Sequence, residues 1–184
     1  MSLLPSCEII SGADTIVVET EPVPSTTYVI HKNQHHAINK IQKVSSPNLK
    51  FEATFDSTAI YTSIDPANQG DINKLYGFSD CGSLHQSNSA RFGWRWYNNK
   101  LEIHAYTYYN GTRKSALIST VALGQTYTYE LERQEGRYVF KVNGEQVTLP
   151  RACYDQADGY MLYPYFGGDE VAPHDIKIVV KDLP

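Results

Sequence analysis

The stretch RFGWRWYNNKLEIHAY, residues 91–106, decides the fold class, because it holds two segments of alternating side chains around a central asparagine pair. Asparagine tolerates the positive φ angles of a two-residue turn, so Asn98-Asn99 predicts a tight β-hairpin. In that register Trp94 lies opposite Ile103, and the neighbouring pairs on the same side are also apolar. We therefore expect a hairpin that buries one side in a β-sheet core.

The other side of the predicted hairpin is polar and forms the candidate site. Arg95 lies opposite Glu102, and Gly93 lies opposite His104, where the missing side chain leaves room for a ligand ring. Arginine binds carboxylates through paired N–H groups, and tyrosine stacks on sugar rings. The predicted ligand-binding residues combine these types: Arg91, Arg95, Glu102, His104, Tyr106 and Tyr108 on the hairpin, with Tyr163 and Tyr165 in a later aromatic strand. The alternative is a solvent-facing sheet surface, whose Arg–Glu pairs contribute less than about 1 kcal/mol.

The same alternation continues on both sides of the hairpin. Short segments recur between Gly, Pro, Asn and Asp, whereas helical periodicity is nearly absent. Predicted strands cover residues 15–19, 26–31, 51–55, 90–97, 101–109, 116–122, 127–133, 137–142, 160–166 and 174–181. The stretch from Asp65 to Asn88 lacks the pattern and predicts the longest loop. We expect an all-β, antiparallel β-sandwich of the jelly-roll type, with a flexible N-terminus over residues 1–13 and a single domain over residues 14–184.

Composition indicates a globular protein with no affinity for nucleic acid. Of the 184 residues, 41% are hydrophobic and 20% are charged, as in ordinary folded domains. The net charge of −4 comes without a basic run that would follow a phosphate backbone, so nucleic acid is not an expected partner. No apolar run reaches the roughly 18 residues of a membrane-spanning helix. The 14 tyrosines favour half-buried strands and wet surfaces that bind polar ligands.

The three cysteines predict a location outside the cytoplasm. Leu4-Pro5-Ser6-Cys7 resembles the end of a bacterial lipoprotein signal, in which the cysteine is acylated, so Cys7 is a lipidation candidate. Cys81 and Cys153 then remain as a candidate disulfide, with two buried free thiols as the alternative. A secreted, cell-surface or periplasmic protein is expected, with a lipid anchor or with a chance cysteine near its N-terminus.

Three short segments resemble the alginate-lyase-like polysaccharide lyases, which belong to the concanavalin A-like lectin and glucanase jelly rolls. Residues 91–95 keep both arginines of that family's Arg-x-Glu-x-Arg strand, and residues 102–104 keep the histidine of its Gln-Ile/Val-His strand. Residues 165–168 match the aromatic pair and a glycine of its Tyr-Phe-Lys-Ala-Gly segment. Residues 175–180 resemble the usual last strand of these jelly rolls. The family's catalytic tyrosine has no counterpart near Val171.

The resemblance implies β-elimination on a uronate-containing polysaccharide. Arg91 or Arg95 would neutralise the substrate carboxylate and so acidify the neighbouring C–H group. His104 would accept that proton or help to hold the carboxylate neutral, and Tyr106 or Tyr108 would protonate the leaving oxygen. Glu102 opposes this chemistry, because its charge repels a uronate unless an arginine masks it. Hydrolysis of the glucanase type is not expected, because its Glu-x-Asp-x-x-Glu strand is missing from the sequence.

Three hypotheses on function remain, and a glycan-binding domain is preferred. Binding of a polysaccharide or oligosaccharide uses the polar side of the hairpin without proton transfer. The polysaccharide lyase is the second hypothesis, and a surface assembly or adhesion domain with an exposed apolar patch is the third. No cofactor or metal is expected: His35 and His36 are adjacent and would point to opposite sides of a strand. Calcium serves many lectins of this fold, but no acidic cluster indicates it here.

Overall fold

Twelve strands form two antiparallel sheets in the computed structural model, which describes residues 23–154 and 158–184. In chain order the strands are β1 (Thr26–Ile30), β2 (Lys43–Val44), β3 (Asn48–Phe55), β4 (Asn73–Ser79), β5 (Ser89–Tyr97), β6 (Lys100–Tyr109), β7 (Thr112–Val121), β8 (Thr126–Gln134), β9 (Arg137–Val142), β10 (Glu145–Pro150), β11 (Gly159–Leu162) and β12 (Ile176–Asp182). One sheet has the order β1-β12-β3-β8-β9-β10, and the other has the order β2-β11-β4-β5-β6-β7. Two short 3-10 helices, Ser57–Ala59 and Pro66–Gly70, lie between β3 and β4. The predicted antiparallel all-β sandwich is confirmed.

The central hairpin has the predicted register. Strand β5 pairs with β6 so that Trp94 lies opposite Ile103 and Arg91 lies opposite Tyr106. Asn98 and Asn99 both have positive φ, 50° and 58°, as a two-residue hairpin turn requires. The apolar side of the hairpin therefore faces the opposite sheet, and the polar side faces away from it.

Aromatic side chains fill the space between the sheets. Phe92 and Trp94 of β5 are fully buried. The Phe92 ring meets Phe140 at a centroid distance of 5.3 Å, and Trp94 meets Phe55 at 5.4 Å. Burying each such side chain contributes about 1.5–3 kcal/mol, so this packing fixes the strand whose other side carries the candidate site.

Residues 65–88, predicted to be one long loop, contain the buried strand β4 between β11 and β5. The prediction is wrong because β4 carries a β-bulge: it has one more residue than β5 between Lys74 and Gly77. Leu75 and Tyr76 are adjacent, yet both lie in the hydrophobic core. The bulge thus breaks the alternation by which a strand is recognised in a sequence.

The other predicted strands and segments agree with the structure only in part, and some lie outside the described residues. Strands β2 and β10 were not predicted, and the last two predicted strands are confirmed with shifted ends. The predicted strand at residues 15–19, the flexible segment at residues 1–13 and the lipidation candidate Cys7 lie outside the described residues. Within residues 23–154 and 158–184, no helix has the length and hydropathy needed to cross a membrane.

A fully buried carboxylate ties β4 to β9 and to the segment after β10. Asp80 accepts a hydrogen bond from Arg151 Nε at 2.6 Å and one from the Tyr138 hydroxyl at 2.8 Å. Arg133 Nε lies 3.3 Å from its other oxygen. The two arginine side chains are 1% and 3% exposed, so Asp80 neutralises cations that water does not reach. Asp80 lies within the stretch predicted to be the longest loop, yet it is fully buried.

The neighbouring residues form a covalent link at the same place. Cys81 and Cys153 are joined by a disulfide, with their Cα atoms 5.7 Å apart. Because both sulfurs are bonded to each other, they offer no thiolate to a metal ion.

Candidate functional site

The polar side of the hairpin divides into two parts, and one of them is closed. Glu102 accepts hydrogen bonds from Arg95 Nε at 2.6 Å and from His104 Nε2 at 3.0 Å. Arg95 Nη1 also donates to the Gly70 carbonyl at 2.6 Å. Burial disfavours the charge on Glu102, but these two partners outweigh burial and lower the pKa of its carboxyl group. Burial lowers the pKa of the His104 imidazole, so it is neutral at pH 7.

The gap predicted above Gly93 is filled. A Cβ atom on Gly93 would lie 2.3 Å from Ile72 Cγ2, so the isoleucine occupies the place proposed for a ligand ring. His104 is only 5% exposed. Arg95 therefore holds the segment around Gly70 against the sheet, and Glu102 and His104 are engaged with it and with each other, so the role predicted for these three residues in ligand binding and catalysis stays a prediction.

The other part of the polar side is open and forms a cleft of about 330 Å³. Cationic, imidazole, aromatic and small polar side chains line it: His36, Lys74, His85, Gln86, Ser89, Arg91, Tyr106, Tyr108, Tyr165 and Gly168. The structure thus brings together Arg91, Tyr106, Tyr108 and Tyr165 of the predicted site. We call this space the polar cleft.

Arg91 lies at the floor of the polar cleft because glycine stands beside it on β4. A Cβ atom on Gly77 would come within 2.5 Å of Arg91 Cβ, so only glycine permits this approach of the two strands. The Arg91 residue is 8% exposed, and its Nη2 donates to the Tyr163 carbonyl at 2.9 Å. Its buried Nε has no hydrogen-bond partner among the described residues. Burial lowers the pKa of the guanidinium to about 10.

Lys74 forms a second cationic group in the cleft. Its pairing with Gly93 places it on the polar side of the sheet, and Nζ donates to the Gly167 carbonyl at 3.0 Å. The ammonium lies over two aromatic rings, 5.1 Å from the centroid of Tyr106 and 5.8 Å from that of Tyr165. Burial, together with the charge of Arg91, lowers the pKa of Lys74 to about 8. Neither cation has a carboxylate partner among the ion pairs of the described chain, and none of the described lining residues is acidic.

Tyr165 is held rigidly at one wall. It pairs with Lys74 through backbone hydrogen bonds of 2.8 and 3.0 Å. His35 stacks on its ring at a centroid distance of 5.1 Å, and the edge of His36 meets it at 4.9 Å. Such packing fixes the ring at little cost in side-chain entropy when a ligand binds, which suits an aromatic platform.

The remaining predicted tyrosines differ in exposure. Tyr108 is half-buried, whereas Tyr106 is only 5% exposed and its ring contacts Lys74 and Tyr108. Tyr163 is in the hydrophobic core, where its ring meets Tyr28 and Tyr76 at 5.8 and 5.9 Å. Tyr163 follows β11 directly and is 9% exposed, so little of its ring is open to a sugar, and its predicted stacking role stays a prediction.

Sequence reasoning missed six lining residues, of which three can carry charge: His36, Lys74 and His85. Lys74 and His85 belong to a stretch interpreted as a loop, and His36 lies far from the hairpin in sequence. His85 is positioned by Tyr160, whose hydroxyl oxygen lies 3.0 Å from its backbone nitrogen and from Nδ1. Burial lowers the pKa of the His85 imidazole, and Arg91 adds to this effect.

Comparison with known proteins shows the fold. No protein-family model matches the chain, and no curated protein matches it by sequence. Among solved structures, the alginate lyase from Alteromonas sp. 272 has a TM-score of 0.53 and 8% identity, over 85% of this chain and 84% of that one. A family 18 polysaccharide lyase has a TM-score of 0.53 and 9% identity, over 85% of each chain.

A glucanase is also similar in structure. A non-specific endo-β-1,3(4)-glucanase of family GH16 has a TM-score of 0.52 and 14% identity, over 77% of this chain. The aligned part is 58% of the glucanase chain, so this protein spans little more than half of its length. These neighbours are concanavalin A-like jelly rolls, and the predicted resemblance to that fold is confirmed.

Proposed function

We propose that this protein is a glycan-binding domain whose polar cleft takes an acidic sugar of a polysaccharide or oligosaccharide. The observation that carries the proposal is the buried guanidinium of Arg91, which has no carboxylate partner in the described chain. A buried unpaired charge destabilises a folded protein by several kcal/mol, and a bound carboxylate or sulfate removes that cost. A neutral sugar would leave the charge uncompensated.

The rest of the cleft suits a sugar ring. Tyr165 and Tyr108 present half-buried aromatic surface, while Lys74, Ser89 and Gln86 supply hydrogen-bonding groups around it. Small-ligand sites typically have a small number of precisely placed polar groups on a rigid wall. The names of the structural neighbours, an alginate lyase and a polysaccharide lyase, agree with a polysaccharide ligand. The proposal includes a location outside the cytoplasm, where a disulfide such as Cys81–Cys153 persists.

Lys74→Met is expected to weaken binding of an acidic oligosaccharide about tenfold. A hydrogen bond to a charged group contributes about 1.5–3 kcal/mol, and methionine keeps the length of the side chain without its charge. Calorimetry with uronate oligomers measures the change, with neutral oligomers of equal length for comparison. Lys100→Met in the exposed hairpin turn is the matched control and should bind like the wild type. Equal affinity for acidic and neutral oligomers would contradict the proposal.

The affinity for an acidic oligosaccharide is expected to fall as the pH rises through about 8. In the free protein the Lys74 pKa is about 8, because burial and Arg91 lower it more than Asp71 raises it. An anionic ligand favours the charged amine, so binding is strongest below about pH 8 and weakens above it. Arg91, with a pKa of about 10, keeps its charge over most of this range. Titration calorimetry between about pH 7 and pH 9 should show the decline, and Lys74→Met should remove it.

A polysaccharide lyase is the second candidate function, because the lowered pKa of Lys74 leaves part of the amine unprotonated near neutral pH. Arg91 would hold the uronate carboxylate, and Lys74 would take the proton from the adjacent carbon. The freed electron pair would form a C=C bond as the glycosidic C–O bond breaks. The Tyr106 hydroxyl would give its proton to the leaving oxygen.

The unsaturated product distinguishes the two functions. Elimination produces a double bond conjugated with the carboxylate, so ultraviolet absorbance rises while a uronate polymer is cleaved. A rise that is lost in Lys74→Met would establish the lyase. A flat trace with binding retained would leave the glycan-binding domain.

A further inference from the structure

A second cleft adjoins the polar cleft and shares part of its wall. Its volume is about 360 Å³, and His36, His85, Arg91 and Tyr165 line both spaces. A ligand that contacts these four residues in the polar cleft therefore also stands at the border of the second space. We call the second space the apolar cleft.

The rest of the apolar cleft is mainly hydrophobic. Ile38, Ile41 and Leu84 stand at its surface, 42%, 87% and 71% exposed, and Met161 lies below them. Single exposed hydrophobic residues are ordinary, but three large ones around one concave space mark a binding site. Their exposure also means that the fold does not depend on them.

We propose that the apolar cleft binds a small acyl group, carried as an ester on a hydroxyl of the acidic sugar in the polar cleft. This inference rests on the proposed function. The shared wall requires the apolar group to be attached close to the charged sugar, which favours a substituent on that sugar or the next one. Asn39 and Lys40, also in the wall, carry donors for the ester carbonyl.

Acetylated uronate oligomers test this inference. The probes are oligomers of mannuronate, guluronate and galacturonate, each with and without chemical O-acetylation. Burying one methyl group corresponds to about a fourfold gain in affinity, so at least one acetylated oligomer should bind the wild type about fourfold more tightly than its free form. Leu84→Ser combined with Ile41→Ser should abolish this preference and leave the affinity for the free form unchanged. Ile64→Ser, at an equally exposed isoleucine outside both clefts, is the matched control.

The other outcomes separate this inference from the function on which it rests. Equal affinity for free and acetylated forms of every oligomer would overturn the acyl site and leave the glycan-binding proposal standing. Absence of binding to every probe would overturn both. Sedimentation measurements supply the last control: dimerisation that Leu84→Ser abolishes would assign the apolar cleft to a second copy of the chain and overturn the inference. That result would favour an assembly domain.

Discussion

Arg91→Met is expected to abolish tight binding of an acidic oligosaccharide while leaving the folded protein as stable as the wild type or more stable. Its guanidinium is buried, and no carboxylate in the described part of the chain pairs with it, so its charge opposes folding. Methionine fills most of the space of the arginine side chain with apolar atoms. Removal of the buried charge offsets the lost hydrogen bond to the Tyr163 carbonyl. We expect Kd to rise about 30-fold or more. Calorimetry measures the affinity, and urea denaturation measures the free energy of unfolding.

Arg95→Met is the matched control, because Arg95 lies on the same strand and on the same side. Its partner Glu102 would lose a hydrogen bond of 2.6 Å, so stability should fall by about 1–3 kcal/mol. Binding by the folded fraction should remain close to that of the wild type, since Arg95 does not line the polar cleft. If Arg91→Met lowered the free energy of unfolding by more than about 2 kcal/mol, the prediction would be wrong and Arg91 would be a structural residue.

Asp80→Asn should have the largest effect on stability, a loss of about 3–5 kcal/mol in the free energy of unfolding. Asparagine has nearly the same shape, but it removes the buried carboxylate that pairs with the guanidinium groups of Arg133 and Arg151. Urea denaturation with the disulfide intact measures the loss. Glu132→Gln removes a partner of Lys141 at the surface and should cost less than about 1 kcal/mol. Similar losses in the two variants would show that burial of Asp80 contributes little.

The hairpin was predictable from sequence because its signals are local. The Asn98-Asn99 turn sets the register, and alternation of Phe92 and Trp94 with polar residues sets which side is buried. The antiparallel sandwich was predictable from many such strands with turn residues between them, and short segments such as residues 175–180 carried the resemblance to concanavalin A-like jelly rolls. These patterns depend on backbone geometry and on burial, and residues close together in the sequence indicate both.

The site was predictable only in part, because it depends on contacts between distant strands. Ile72 fills the space above Gly93, and no pattern around the glycine reveals this. His104 meets Glu102 instead of a ligand, since a nearby segment covers that end of the sheet. Lys74 lies opposite Gly93 in the polar cleft, but the bulge that follows it hides strand β4 from a search for alternation. Side chains that meet across four or five strands leave no periodic signal in the sequence.

The bulge in β4 has a consequence for the ancestry of this protein. One extra residue separates Lys74 from Gly77, relative to the facing strand. Lys74 lies opposite Gly93 on the polar side with or without that residue, whereas the extra residue lets both Leu75 and Tyr76 enter the core. Natural variants that lack one residue here are therefore expected to keep the lysine and the cationic cleft, so a single gap in an alignment would mark the loss of one core side chain and not of the site.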